Sequence, residues 1–172
     1  MNRNRRFHIR GNSLVEFTLV GIPLIFILIS TFEMARGMWL YHTLAHAVKA
    51  GTRYAVVHGQ NCSVPPNSCT VTISQIATVI SANGNGLPGD TLTLTFTPPS
   101  GGATTCTLAN CIANYTSGYW PPSGANAPQS KLQITGVYPF TSAIAMFWPG
   151  AGRTNRLGTY NFSAKSRENI QF

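Results

Sequence analysis

Residues 14–32 read LVEFTLVGIPLIFILISTF, and this stretch decides what kind of chain it belongs to. Thirteen of its 19 residues are Leu, Ile, Val or Phe, and one, Glu16, is charged. At about 0.3–0.6 kcal/mol per apolar side chain, transfer into a bilayer is favoured by roughly 4–8 kcal/mol. Glu16 opposes this, yet it stands two residues inside the boundary, where a carboxylate reaches the interface. At a helix centre a charge would cost about 2.5–3.5 kcal/mol. At about 1.5 Å per residue the run spans roughly 28 Å, close to the thickness of a hydrocarbon core. Pro23 is tolerated in such a helix, with a kink or local unwinding as its expected effect. The expectation is one membrane span over 14–32.

The flanks set its direction. Arg3, Arg5, Arg6 and Arg10 precede the span with no acid among them, so the positive-inside rule places the N-terminus in the cytoplasm and the rest outside. Beyond the span, Glu33 and Arg36 follow at once, and Trp39 and Tyr41 are candidate interface aromatics. The alternative, a cleaved secretory signal, needs small residues soon after the apolar run. Ser30–Arg36 holds no A-x-A pattern, and Ala45-His46-Ala47 falls inside a helix-patterned stretch.

The net charge is +8, but from residue 12 onward eight basic and four acidic residues leave only +4. Those basic residues are scattered singly, without the dense basic stripe of a nucleic-acid binder, so nucleic acid is not an expected partner. Charged residues make up 9% of the chain, against about 25% in soluble domains. Such a surface suits packing among partners or exposure outside a cell. At 172 residues there is room for one modest domain and an appendage.

The junction between leader and span reads Arg10-Gly11-Asn12-Ser13-Leu14-Val15-Glu16-Phe17. A basic leader ending in Gly, with Glu at the fifth position after it, resembles the processing site of type IV prepilins and pseudopilins. The resemblance implies that a prepilin peptidase cuts between Gly11 and Asn12 on the cytoplasmic face and leaves the apolar helix in the mature chain. Glycine suits such a cleft because, without a Cβ, its backbone can be approached closely. It also implies that Glu16 serves subunit assembly by pairing with the amino terminus of a neighbour. A carboxylate in apolar surroundings needs such a partner. Asn12 and Glu16 are also i and i+4, so the pair can form within one helix, and Glu16 can instead snorkel to the membrane surface. Asn12 stands where many pilins carry Phe or Met, which sets the chain apart from major type IVa pilins.

Further motifs are similar to the TadE-like family, the pseudopilins and minor pilins of tight-adherence (Flp) pilus systems. They are Val15-Glu16-Phe17 ahead of Pro23, Phe32-Glu33-Met34-Ala35-Arg36, the run His46 to Ala55, and Ile134-Thr135-Gly136-Val137-Tyr138-Pro139-Phe140. The likeness covers residues 10–58, is weaker over 131–168 and is absent between. It implies a single-pass bacterial inner-membrane protein with its C-terminal part in the periplasm, open to incorporation into an extracellular pilus. Its partners would be prepilin peptidase, other pilin or pseudopilin subunits, the inner-membrane assembly platform and membrane lipid.

The remaining pattern divides the chain into a leader (1–11), a long helix (12–58) and an exported β-rich domain (59–172). Past the span, Leu40, Leu44, Ala47, Val48, Gly51, Tyr54 and Ala55 form one helical stripe, with His42, His46, Lys49 and Arg53 opposite. Gly59 is a plausible stop. His42 and His46 have zinc-ligand spacing, but Thr43-Leu44-Ala45 between them supplies no Glu, so no metal is expected. The four cysteines pair locally on the simplest reading, Cys62 with Cys69 and Cys106 with Cys111, one of three connectivities; in an exported setting this favours disulfides.

Strands are expected at Thr70–Ile73, Thr91–Thr97, Lys131–Tyr138 and Gly158–Lys165, and short helices at Ser74–Ala82 (Ser74 as N-cap) and Thr141–Phe147. Pro98–Gly101 and Pro121–Gly124 read as loops, and Cys106–Gln129 as a polar, aromatic excursion. The expected fold is α+β: a long transmembrane-plus-stalk helix packed on a small antiparallel sheet. Glu33, Asp90 and Glu168 are far apart and no catalytic signature occurs, so neither catalysis nor a cofactor is expected. The rival reading is a membrane-tethered adhesin or ligand-binding module.

Overall fold

The computed structural model describes residues 12–58, 71–142 and 159–171. Helix α1 runs unbroken over Asn12–Val56, 45 residues with Pro23 inside it. It is followed by α2 (Ile73–Asn83), β1 (Thr93–Thr97), β2 (Thr104–Thr107), α3 (Leu108–Asn114), β3 (Lys131–Thr141) and β4 (Thr159–Asn169). The strands form one antiparallel sheet in the order β2-β1-β3-β4. A long N-terminal helix against a small antiparallel sheet is the expected α+β architecture.

The two halves of α1 differ in what surrounds them. From Ser13 to Phe32 no side chain is buried by the rest of the chain, whereas Leu40, Leu44, Val48, Ala55 and Val56 are at most 4% exposed. That stripe is the one the 3.6-residue spacing marks, and His42, His46, Lys49 and Arg53 face outward as expected. Thr52, buried at 0% exposure, joins the stripe because its hydroxyl donates to Val48 O at 2.8 Å and leaves a methyl for packing.

Close approach between layers depends on two glycines. A Cβ at Gly136 in β3 would stand 2.8 Å from Val48 Cγ2 and 3.1 Å from Leu44 Cδ1. At Gly51 in α1 it would run into the Ile80 side chain of α2. The inner face of the sheet, with Leu94, Phe96, Leu132, Ile134 and Phe140, closes the core against α1. The opposite face is polar: Thr95 pairs across to Thr105, hydroxyl to hydroxyl at 3.1 Å. Pro139 lies past the last β1–β3 pair, Thr93 with Val137, where β3 has a strand on one side only and a missing N–H is tolerated.

Several expected boundaries move. The strand expected at Thr70–Ile73 is not formed among its described residues: Val71 and Thr72 are irregular and Ile73 opens α2. The N-cap is Thr72, not Ser74. Thr72 Oγ1 accepts from Gln75 N, and Gln75 Oε1 accepts from Thr72 N, a reciprocal capping box. Ser74 instead donates to Ile112 O at 2.7 Å and fastens α2 to α3. Strand β1 begins at Thr93 because Leu92 N is held in a turn by Pro88 O. The stretch read as a loop from Cys106 contains the end of β2 and all of α3. Thr141 ends β3 rather than opening a helix; the rest of the helix expected at Thr141–Phe147 is outside the described residues apart from Ser142.

Candidate assembly helix and cleavage site

Where the span begins, Asn12 is the first helical residue and Gly11 lies outside the described residues. Glu16 is exposed, one turn into the helix, and among the described residues it has no hydrogen-bond or ion-pair partner. The expected i to i+4 pairing with Asn12 concerns a side chain that is not described.

Within the span the polar chemistry is settled locally. Thr18 Oγ1 donates to Val15 O at 3.0 Å, Ser30 Oγ to Phe26 O at 2.7 Å and Thr31 Oγ1 to Ile27 O at 2.8 Å. Each hydroxyl between Leu14 and Phe32 is thereby returned to its own helix, as an apolar solvent demands. Of the 13 Leu, Ile, Val and Phe side chains in this stretch, all but Ile29 are 53–80% exposed. An apolar rod whose sides nothing among the described residues covers fits a single-pass membrane protein.

Just beyond the rod the character changes. Arg36 Nη1 pairs with Glu33 Oε1 at 3.2 Å, and the Arg36 guanidinium lies over the Phe140 ring, 5.1 Å from its centroid. Trp39 closes over Gly86, and Tyr41 meets Phe162 edge-on with centroids 6.1 Å apart. At the other end of the stalk, Gln171 N donates to Val56 O at 3.0 Å, and Arg53 Nε stands 3.9 Å from Glu168 Oε1. Strand β4 is thus tied to the last turn of α1.

Residues 11–53 match the model of the TadE-like protein family. This TadE-like segment begins at the glycine that ends the basic leader and takes in the whole span and most of the stalk. It covers about a quarter of the chain, and the sheet lies outside it. The likeness points to a protein associated with the tight-adherence pilus. No curated protein and no solved structure matches the chain.

Of the cysteines, Cys106 and Cys111 are joined, with Cα atoms 5.5 Å apart, linking the end of β2 to α3. Cys62 and Cys69 lie outside the described residues. The TadE-like segment and the disulfide occupy different parts of the molecule: Glu16 is at the far tip of the rod, and the disulfide borders the sheet. Sequence reasoning missed the aromatic stack of Phe140 on Phe162 at the stalk, because the two residues are 22 apart and each lies in its own strand.

Proposed function

We propose that the chain is a pseudopilin or minor pilin of a tight-adherence pilus, a structural component and not an enzyme. It is inserted with its N-terminus in the cytoplasm, cut by prepilin peptidase between Gly11 and Asn12, and assembled through α1 with other pilin subunits and the inner-membrane platform. The carrying observation is that the TadE-like helix presents an apolar surface from Leu14 to Phe32 that its own domain leaves uncovered. Lipid can cover that surface before assembly and the helices of other subunits after it, since helix packing in membranes needs no difference in polarity. Glu16, which has no partner among the described residues, is then available to the amino group that cleavage creates at Asn12 of a neighbour.

Mass spectrometry of the mature protein tests this: the N-terminal residue is Asn12. A chain that keeps Met1, or that begins beyond the span, overturns the reading. A Glu16→Ala variant is expected to be inserted and cut normally yet to reduce pilus assembly at least tenfold.

The second reading, a membrane-tethered adhesin, draws on the groove lined by Tyr115, Tyr119, Trp120 and the glycines of the β1–β2 turn. Replacing residues 12–36 with an unrelated span separates the two. A tethered binder keeps its activity, whereas a pseudopilin no longer supports a pilus.

A further inference from the structure

The end of the sheet nearest the span is aromatic, and it abuts the helix where the helix leaves the apolar run. Phe140 and Phe162 stack with centroids 5.0 Å apart, and a Cβ at Gly37 would stand 3.5 Å from Phe162 Cζ and 3.6 Å from Phe140 Cζ. Beside this contact a shallow, almost wholly apolar groove runs between α1 and the two strands, from Met34 to Tyr41 on one wall and past Tyr160 on the other. Met38, Trp39 and Tyr160, around this end, are 59%, 56% and 64% exposed.

The height of this surface follows from the helix rise. Gly37 is five residues past Phe32, or about 7.5 Å at 1.5 Å per residue, and the headgroup layer on each side of a bilayer is roughly 5–8 Å thick. With residues 14–32 filling the hydrocarbon, the end of the sheet stands at headgroup level. Its side chains suit that layer, since Trp and Tyr, apolar in body and polar at the tip, concentrate there. Arg36, cationic and half exposed, is also at the level of lipid phosphates. Phe26, Ile27, Thr31 and Met34 line an apolar hollow on the span, and Met34, 70% exposed, also lines the groove, so lipid that covers the span also reaches the groove.

We propose that this end of the β3–β4 hairpin rests in the headgroup layer of the leaflet from which α1 emerges, with lipid filling the groove between Met34, Met38 and Tyr160. The proposal rests on the reading of residues 14–32 as a membrane span. It makes the exported domain a body seated on the membrane rather than one held clear of it.

The test uses the full chain, the Cys106–Cys111 disulfide intact, in phosphatidylcholine vesicles whose lipids carry bromine near the headgroup end of the acyl chains. An environment-sensitive dye is placed in turn at Tyr160→Cys, at Phe26→Cys within the span and at Ser100→Cys in the β1–β2 turn. The last lies at least about 24 Å farther up, seven strand residues at roughly 3.4 Å each. The expected result is quenching at 160 at least half as strong as at 26, with less than a tenth of it at 100. Met38→Cys, as a second probe of the groove, follows 160. If 26 is quenched while 160 and 38 match 100, the seating is wrong and the span stands. If 26 is not quenched, the span reading fails and the seating with it. A label at 160 that lipid does not quench, yet that is shielded from aqueous iodide, shows a second copy in the groove and also overturns the proposal.

Discussion

At Gly136 and Gly51 a hydrogen atom decides how near two layers come. Gly136→Ala would push a methyl to 2.8 Å from Val48 Cγ2, and Val48 has no spare rotamer in a helix with which to withdraw. The expected cost is about 1–3 kcal/mol, as for other overpacked cores, seen as an earlier midpoint in urea unfolding of the detergent-solubilised chain. Thr52→Val makes the opposite point. The hydroxyl it removes bonds only to the helix carbonyl Val48 O, and the replacement keeps the shape, so the same assay should show a change of less than about 1 kcal/mol. Neither glycine declares its role in the sequence. Gly51 lies within the segment that matches the TadE-like family and Gly136 outside it, and only the packed structure shows what a side chain at either would strike.

Among the elements, α1 and β1 were the most legible, each for a reason of period. Residues 40 to 55 repeat at the helical interval, and Thr91 to Thr97 alternate as a half-buried strand does. The start of α2 was also written in the sequence, as Thr72-Ile73-Ser74-Gln75, a Thr followed at the third position by Gln, but Ser74 was the more conspicuous cap residue. What escaped notice is the unit formed by β2 and α3. Four residues of strand followed by seven of helix carry too few repeats for either period to emerge. The unit is held by Leu108 N donating to Leu92 O at 2.8 Å, by Ala109 N to Gly89 O at 3.0 Å, and by the disulfide. Replacing Cys106 and Cys111 together by Ala should therefore cost about 2 kcal/mol on the loop-entropy scale for so small a loop. Amide hydrogen exchange should show the loss first at residues 104–114, with the α1 stripe protected as before.

For the whole molecule, the same helix is an uncovered apolar rod in its first half and part of the core in its second. Leu24 lies near the middle of the span, so Leu24→Arg is expected to weaken insertion by about 2.5–3.5 kcal/mol. Carbonate extraction of membranes would read this as a large loss from the pellet. Because Leu24 is 54% exposed, in a stretch where no side chain is buried, the unfolding stability of the sheet domain should stay within about 0.5 kcal/mol of its original value. The two readouts separate the role of the rod from that of the core.

From Phe32 to Val56, α1 passes from that rod into the core with no proline and no cap between them. There is accordingly no swivel. One extra residue inserted near Gly37 would turn everything beyond it by roughly 100° about the helix axis. The sheet would then face another way, so its compass bearing is written into the number of residues between rod and domain.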